Sequence, residues 1–167
     1  MVWADTMSKD MPLTDGSDPE DGAQLSPAEA ERTRGTILIV EDHEMVRQRL
    51  AEWVGQSFPD FRVLTAAGGE EGVALADENG AQLVVMDIEM PGTNGIQATR
   101  RIKNATPETK VVILSVHSAE DYRSDAFAAG ADAYVTKSRA CWDLMPRIRE
   151  LIAPSAQAEP GHGREGA

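Results

Sequence analysis

Five short, mainly apolar segments alternate with segments of helical periodicity along the middle of the chain. Each has three or four residues bounded by polar or turn-forming residues, which is typical of buried strands, and the second is the weakest because it contains Arg62. We therefore predict strands at Ile37–Val40, Phe61–Leu64, Leu83–Met86, Val111–Leu114 and Ala133–Val135. The alternation of strands and helices predicts an α/β domain whose open parallel sheet carries helices on both faces.

Capping residues and glycines indicate where the helices begin and end. Asn94 and Ser118 are the predicted N-caps of the third and fourth helices, because their short polar side chains can accept hydrogen bonds from free N–H groups. Gly130 is expected to end the fourth helix. The last helix is predicted from about residue 140 to residue 152 and contains Pro146. Since proline has no N–H group, we expect a lost hydrogen bond or a kink there.

The two ends of the chain differ in composition from its middle. Residues 1–34 and 154–167 are rich in acidic, small and turn-forming residues and contain few branched apolar side chains. Such segments cannot bury enough apolar surface to offset the entropy that is lost when a chain becomes ordered. We therefore predict two disordered tails around a single domain at residues 35–153.

Charge and composition argue against several classes of protein. The 28 acidic and 16 basic residues give a net charge of −12, which disfavours direct binding to nucleic acid. Apolar runs reach four residues at most, whereas a membrane-spanning helix needs about 20. The chain has a single cysteine, Cys141, and no segment typical of a secretory signal. We therefore expect a cytoplasmic protein that does not bind a membrane.

A set of reactive side chains follows the predicted strands. Glu41 and Asp42 follow the first strand, Asp87 the third and Ser115 the fourth, and Lys137 comes shortly after the fifth. Because the carboxyl ends of parallel strands meet at one edge of a sheet, we expect these side chains to share a pocket. Carboxylates at close range repel one another and need a cation. Oxygen ligands without Cys or His favour a hard ion, and we predict Mg²⁺.

This combination of groups suits the transfer of a phosphoryl group. The metal ion and Lys137 would neutralise the phosphoryl oxygens, and Ser115 would donate a hydrogen bond to one of them. Asp87, in the middle of the set, is then the nucleophile that becomes an acyl phosphate. Because the chain has no glycine-rich loop of the form GxxxxGK[ST], we do not expect ATP as a direct substrate.

The segment from Thr36 to about Ala153 resembles a receiver domain of bacterial two-component response regulators. The order and spacing of its motifs fit that family. The segments LSVH at 114–117 and GADAY at 130–134 are most similar to receivers that are normally joined to a LuxR-type helix-turn-helix. The resemblance implies a flavodoxin-like, doubly wound (βα)5 fold with a five-stranded parallel sheet in the order 2-1-3-4-5. The matching strings are ILIVEDH at 37–43, VMDIEMPG at 85–92, NG at 94–95, ILS at 113–115, GADAY at 130–134 and the single Lys137.

The resemblance implies a role for each residue of the site. Asp87 matches the phosphoacceptor, and Lys137 matches the lysine that pairs with the phosphoryl group. Asp42 resembles a direct Mg²⁺ ligand, and Glu41 resembles one that acts partly through water. The main-chain carbonyl of Glu89 matches a further metal ligand.

The resemblance also implies a switch and a set of partners. Ser115 and Tyr134 match the pair whose movement on phosphorylation alters the surface of the fourth helix, fifth strand and fifth helix. The phosphoryl donor would be a phosphohistidine on a sensor histidine kinase or a phosphotransfer protein. The downstream target would be a protein that the sequence does not identify. A phosphorylation-dependent homodimer is a further hypothesis. We expect slow self-dephosphorylation at most, and no other enzyme activity.

Two positions depart from the pattern that many receivers share, and two others lie beside the site. Ser138 follows Lys137 where a cis-proline is common, so we expect a trans peptide bond, and we predict that Ser138 helps to start the last helix. Val116 is bulkier than the residue usually found at its position. Glu89 and His117 flank the path of an attacking water and, by resemblance, tune the lifetime of the phosphoryl group.

Three alternatives stay open. An aspartate-nucleophile phosphatase of the haloacid-dehalogenase kind would carry Asp-x-Asp on its first strand, whereas Asp87 follows the third strand and position 89 is Glu. A receiver-like interaction module would keep the fold without ever being phosphorylated. Only 15 residues follow Ile152, too few for a helix-turn-helix. The chain is therefore expected to be a stand-alone receiver or the receiver part of a longer DNA-binding transcription regulator.

Overall fold

Five parallel strands form a single sheet in the computed structural model, which describes residues 33–153. The strands lie in the order β2-β1-β3-β4-β5, so the predicted doubly wound sheet is confirmed. The predicted tails lie outside the described residues, except for Thr33 and Arg34. The strand bounds are β1 Gly35–Val40, β2 Phe61–Ala66, β3 Ala81–Asp87, β4 Lys110–Ser115 and β5 Ala133–Thr136.

In the described part of the chain, five α-helices connect or follow the strands and pack on both faces of the sheet. A single 3₁₀ turn at Lys137–Arg139 separates β5 from the last helix. Within residues 33–153, no helix is both long enough and apolar enough to cross a membrane. The helix bounds are α1 Glu44–Ser57, α2 Gly69–Glu78, α3 Gly95–Ala105, α4 Glu120–Ala128 and α5 Ala140–Ile152.

Alternate residues of the central strands enter two separate apolar cores. Ile37 and Ile39 of β1 face the core that α1 and α5 cover, with Leu50 and Leu144 among its fully buried members. Leu38 and Val40 face the opposite core, which α2, α3 and α4 cover. The central strands are therefore buried on both faces, which explains why their sequence is a continuous apolar run and does not alternate with polar residues.

The ends of the helices agree only in part with the sequence predictions. The Asn94 side chain accepts a hydrogen bond from the Gln97 N–H at 3.0 Å and caps α3 as predicted. The predicted cap at Ser118 is wrong, because Ala119 occupies the N-cap position of α4 and no side chain caps this helix. Its first turn contains Glu120 and Asp121, whose negative charges favour a helix N-terminus without a side-chain cap.

The segment between β5 and α5 also differs from one expectation. Ser138 lies in the 3₁₀ turn and its hydroxyl donates to the Thr136 hydroxyl at 3.3 Å, while Arg139 occupies the N-cap position of α5. Ser138 therefore does not cap the last helix. The peptide bond after Lys137 is trans, as expected, and α5 continues through Pro146.

Asp132 ties together three elements at the amino ends of β4 and β5. Its carboxylate lies 2.9 Å from the Lys103 amine and 3.3 Å from the Lys110 amine, and it accepts a hydrogen bond from the Val111 N–H at 2.9 Å. Partial burial alone would raise the pKa of Asp132, but the Lys103 amine and the Val111 N–H outweigh it, so the pKa is lowered. This carboxylate therefore stabilises the fold in its ionised form.

We expect Asp132→Asn to lower the free energy of unfolding at pH 7 by about 1–3 kcal/mol, because the largely buried Lys103 amine loses its carboxylate partner and keeps the neutral carbonyls of Pro107 and Thr109. Since the folded-state pKa lies below the unfolded one, this difference is present at neutral pH and shrinks as the pH falls below about 4. Urea unfolding of both proteins across this pH range measures it. Asp125→Asn, on the exposed face of α4, is the control and should change stability by less than about 0.5 kcal/mol. An Asp132→Asn deficit that does not depend on pH would contradict this assignment.

Candidate functional site

The sheet order brings the predicted reactive residues to the same edge. Val40 and Met86 are partners in the β1–β3 pairing, so Glu41 and Asp87 leave neighbouring strands side by side. Asp87 is in turn the partner of Leu114, directly before Ser115. Lys137 lies one residue beyond β5, in the 3₁₀ turn that begins there. Residues that are distant in sequence therefore meet because parallel strands end together.

Three carboxylates form an acidic cluster at this edge. Glu41, Asp42 and Asp87 each offer one oxygen, and these oxygens all lie within 4.8 Å of one another. Glu41 and Asp87 are 2% and 4% exposed, whereas Asp42 is exposed. The donors are all carboxylate oxygens, which suit a hard divalent ion such as Mg²⁺. The exposed Asp42 leaves the cluster open to solvent on one side.

The ammonium group of Lys137 lies between the two buried carboxylates. Its Nζ is 2.7 Å from Glu41 Oε2 and 2.9 Å from Asp87 Oδ2. Burial works against the charge of Lys137, but the negative charges of Asp87 and Glu41 outweigh it and raise the pKa of the amine. Burial, and then the charge of Asp87, raise the pKa of Glu41 against the opposing effect of Lys137. The protonation of each of these three buried groups therefore depends on the charges of the other two.

The loop after Asp87 folds back onto the site. The Gly95 N–H donates to the Ile88 carbonyl at 3.0 Å, and a β-carbon at position 95 would collide with the carbonyl oxygen of Asp87. Gly92 has a φ of +79°, in the left-handed region where glycine carries no steric cost. The Glu89 N–H lies 3.4 Å from Asp87 Oδ1. These contacts fix the backbone beside the predicted nucleophile.

Ser115 and Tyr134 are joined through the backbone of a single residue. The buried Ser115 hydroxyl oxygen accepts a hydrogen bond from the His117 N–H at 3.1 Å. The Tyr134 hydroxyl donates to the His117 carbonyl at 2.8 Å, and the tyrosine ring is 8% exposed. Ser115 and Tyr134 thus both contact His117, in the loop between β4 and α4.

A second contact joins Glu89 and His117, whose backbone N–H groups lie beside Asp87 and Ser115. The resemblance places both residues beside the path of an attacking water, but their direct contact is not predicted. His117 Nε2 lies 2.7 Å from Glu89 Oε1. The His117 ring stacks on Tyr122 with ring centroids 4.1 Å apart and an angle of 2° between the rings. The predicted role of the Glu89 carbonyl as a metal ligand stays a prediction. The Glu89 side chain itself pairs with His117.

Arg47 is a further residue at the site that the sequence pattern does not single out. Its guanidinium donates to the carbonyl oxygens of Glu41 and Asp42, behind the acidic cluster. The sequence feature that could have identified Arg47 is its position in the first turn of the helix that follows the acid pair. The periodicity of hydrophobic residues gives no information about contacts between a side chain and a loop carbonyl.

Residues 37–149 match the sequence profile of the response regulator receiver domain. The chain belongs to this family. It is 32% identical over 123 residues to the transcriptional activator protein ExaE of Pseudomonas putida, covering 74% of this chain and 58% of ExaE. It is also 32% identical over 118 residues to the response regulator UvrY of Escherichia coli K12, covering 70% of this chain and 54% of UvrY. The chain thus spans little more than half the length of these relatives.

Solved structures of receiver domains have the same fold. A LuxR-family two-component response regulator from Aurantimonas sp. SI85-9A1 is 33% identical with a TM-score of 0.66, and the match covers 70% of this chain and 84% of that one. The response regulator TrrA from Thermotoga maritima, solved in complex with Mg²⁺-BeF, is 32% identical with a TM-score of 0.63. This second match covers 71% of this chain and 99% of TrrA. The expectation of a two-component receiver domain is confirmed.

Proposed function

We propose that Asp87 accepts a phosphoryl group from a phosphohistidine on a sensor histidine kinase or a phosphotransfer protein. The observation that carries this proposal is the buried contact of Asp87 with Lys137 beside the carboxylates of Glu41 and Asp42. An acidic cluster that faces a lysine offers a nucleophile, a metal site and a fixed positive charge within a few ångströms. The Mg²⁺-BeF complex of TrrA, a relative with the same fold, supports the proposal.

Glu41, Asp42 and Asp87, together with the main-chain carbonyl of Glu89, would hold the Mg²⁺ ion. When bound, this ion supplies positive charge to the phosphoryl oxygens. A carboxylate oxygen of Asp87 attacks phosphorus while the bond between phosphorus and the donor imidazole nitrogen breaks, and the electron pair stays on that nitrogen. The other ring nitrogen of the phosphohistidine carries a proton, so the products are an acyl phosphate and a neutral histidine. Lys137 would exchange a carboxylate contact for one with a phosphoryl oxygen.

Removal of the phosphoryl group is proposed to be slow and to need no further catalytic residue. A water molecule would attack phosphorus and release the Asp87 carboxylate and inorganic phosphate. The paired side chains of Glu89 and His117 lie at the approach to the site. We therefore propose that the chain acts as a phosphoacceptor that signals and not as an enzyme with its own substrate.

The test is phosphorylation of the purified chain with acetyl phosphate and Mg²⁺, followed by intact-mass and peptide mass spectrometry. Wild type should gain one acid-stable, base-labile phosphoryl group on Asp87, and chelation of Mg²⁺ should abolish it. Asp87→Asn should reduce the labelled fraction at least tenfold, because an amide cannot act as the nucleophile. Asp121→Asn, on the exposed start of α4, should be labelled like wild type.

Three outcomes would contradict the proposal. Equal labelling of wild type and Asp87→Asn would remove Asp87 as the acceptor. No labelling under any condition, with unchanged partner binding in Asp87→Ala, would favour an interaction module that is never phosphorylated. Repeated turnover of a phosphomonoester would favour a phosphatase.

The phosphorylated site is proposed to act on partners through the face formed by α4, β5 and α5. Tyr134 links the site to this face, where it borders a groove of about 520 Å³. Trp142 is 66% exposed there, and Arg123 lies over the Tyr134 ring at 5.3 Å. The groove is lined by arginines and by the acidic side chains of Asp143 and Glu150. An exposed tryptophan beside such a groove is typical of a protein-binding surface. In a longer regulator, the partner would be an attached DNA-binding domain, and in a stand-alone receiver it would be a separate protein or a second copy.

Beryllofluoride imitates the phosphoryl group when it is added together with Mg²⁺. Its addition should shift the amide resonances of α4, β5 and α5 in nuclear magnetic resonance spectra. Ser115→Ala should keep the shifts around Asp87 and lose most of those on the distant face, because its hydroxyl can no longer follow the phosphoryl oxygen. Ser115→Thr, which retains a hydroxyl, is the matched control. Full shifts of the face in Ser115→Ala would contradict the switch, and sedimentation of the same samples tests the homodimer.

A further inference from the structure

We propose that Arg47 is a positioning residue that holds the backbone of the acid pair in the geometry that binds the metal ion. This inference rests on the proposed function, because the ion is the Mg²⁺ of the phosphoacceptor site. The contact involved is made to main-chain atoms, so it acts through the direction in which Glu41 and Asp42 point and not through a bond to the ion.

Arg47 spans the turn between β1 and α1. One guanidinium nitrogen, Nη1, lies 2.8 Å from the Glu41 carbonyl oxygen and 3.2 Å from the Asp42 carbonyl oxygen. The side chain is partly buried, and the Arg47 backbone N–H donates to the His43 carbonyl at 2.9 Å. Three consecutive carbonyls of the turn thus accept hydrogen bonds from Arg47.

The opposite side of the same turn is held by the sheet. The Glu41 N–H donates to the Ala66 carbonyl at the end of β2 at 3.1 Å. The peptide plane before Glu41 is therefore held by β2, and the two peptide planes that flank Asp42 are held by Arg47. No regular helix or strand includes residues 41–43, so the orientation of these planes depends on such contacts.

The directions of the two acidic side chains follow from these planes. Glu41 points into the buried site and reaches Lys137, while Asp42 lies exposed at the rim, yet their oxygens stay within 4.8 Å of each other and of Asp87. An aspartate has only one methylene group, so a rotation of its peptide plane moves its oxygens almost as a rigid body. Loss of the Arg47 contact should spread the three oxygens apart.

The sign of the effect on metal binding separates positioning from simple electrostatics. Arg47 carries a positive charge close to the acidic cluster, and Coulomb repulsion alone would make its removal strengthen the binding of Mg²⁺. Loss of positioning would weaken the binding, as is typical when a group that orients metal ligands is removed. The two explanations therefore predict opposite changes in the dissociation constant.

The experiment is calorimetric titration of Mg²⁺ into the unphosphorylated full chain, with wild type, Arg47→Met, Arg47→Lys and the control Arg49→Met. Arg49 lies on the same helix, is 57% exposed and pairs only loosely with Glu52 at 3.8 Å. We expect the dissociation constant to rise about tenfold in Arg47→Met. The dissociation constant of Arg47→Lys should rise almost as much, since a single amine lacks the planar geometry of the guanidinium. Arg49→Met should match wild type.

A second readout is independent of the metal. Without Mg²⁺, hydrogen exchange at the amides of residues 42–44 should accelerate several-fold in both Arg47 variants and stay unchanged in Arg49→Met. Arg47→Lys keeps the charge and the aliphatic stem, so it tests the proposal even if Arg47→Met proves unstable. Unchanged or tighter binding of Mg²⁺ in a folded Arg47 variant would overturn the positioning role alone. Failure of wild type and Arg49→Met to bind Mg²⁺ would overturn the proposed function and this inference with it.

Discussion

The buried ammonium group of Lys137 holds together two carboxylates that would otherwise repel each other. Glu41, Asp87 and Lys137 come from β1, β3 and the turn after β5, and each is less than a tenth exposed. An unpaired charge in such a place costs several kcal/mol, roughly, so the three groups depend on one another. Because the three charges depend on one another, a new charged group in the site would change all of their contacts. A divalent cation or a phosphoryl group that enters it can take over contacts that the protein now makes with itself.

The sheet provides this arrangement through strand order. Because β3 lies between β1 and β4, Asp87 leaves the sheet at its centre, with the acid pair on one side and Ser115 on the other. The loop that follows Asp87 then packs closely against the Asp87 backbone. Gly95 makes this possible, since any side chain there would collide with the Asp87 carbonyl. Fold and site are thus linked through close backbone contacts as well as through charge.

Much of the fold and the main chemistry could be predicted because they depend on local pattern and strand order. The five apolar runs identify five strands, although the pattern underestimates their length. β2 continues to Ala66, and β4 begins at Lys110. Those end residues are polar or small, and backbone pairing places them in the sheet. Asn94 was predictable as a cap because its hydrogen bond reaches only three residues along the chain.

Features that depend on tertiary contacts could not be predicted in the same way. Ser118 has the right side chain for a cap, but the path of the loop places Ala119 at the start of α4. The resemblance singles out His117 as a neighbour of the site but does not predict its stacking on Tyr122. Arg47 has the pattern of an ordinary helix position, and its contact with the carbonyls of the acid pair is not predicted. Their contribution becomes visible only once the loops are placed in three dimensions.

The most direct test of the account is a crystal structure of the chain grown with Mn²⁺ and beryllofluoride, with the ion located by its anomalous scattering. We expect one ion among the carboxylates of Glu41, Asp42 and Asp87, beryllofluoride on an Asp87 oxygen, and the Lys137 amine moved from Glu41 to a fluorine atom. An ion bound elsewhere, or a Lys137 amine that keeps both carboxylates while beryllofluoride is bound to another residue, would contradict it.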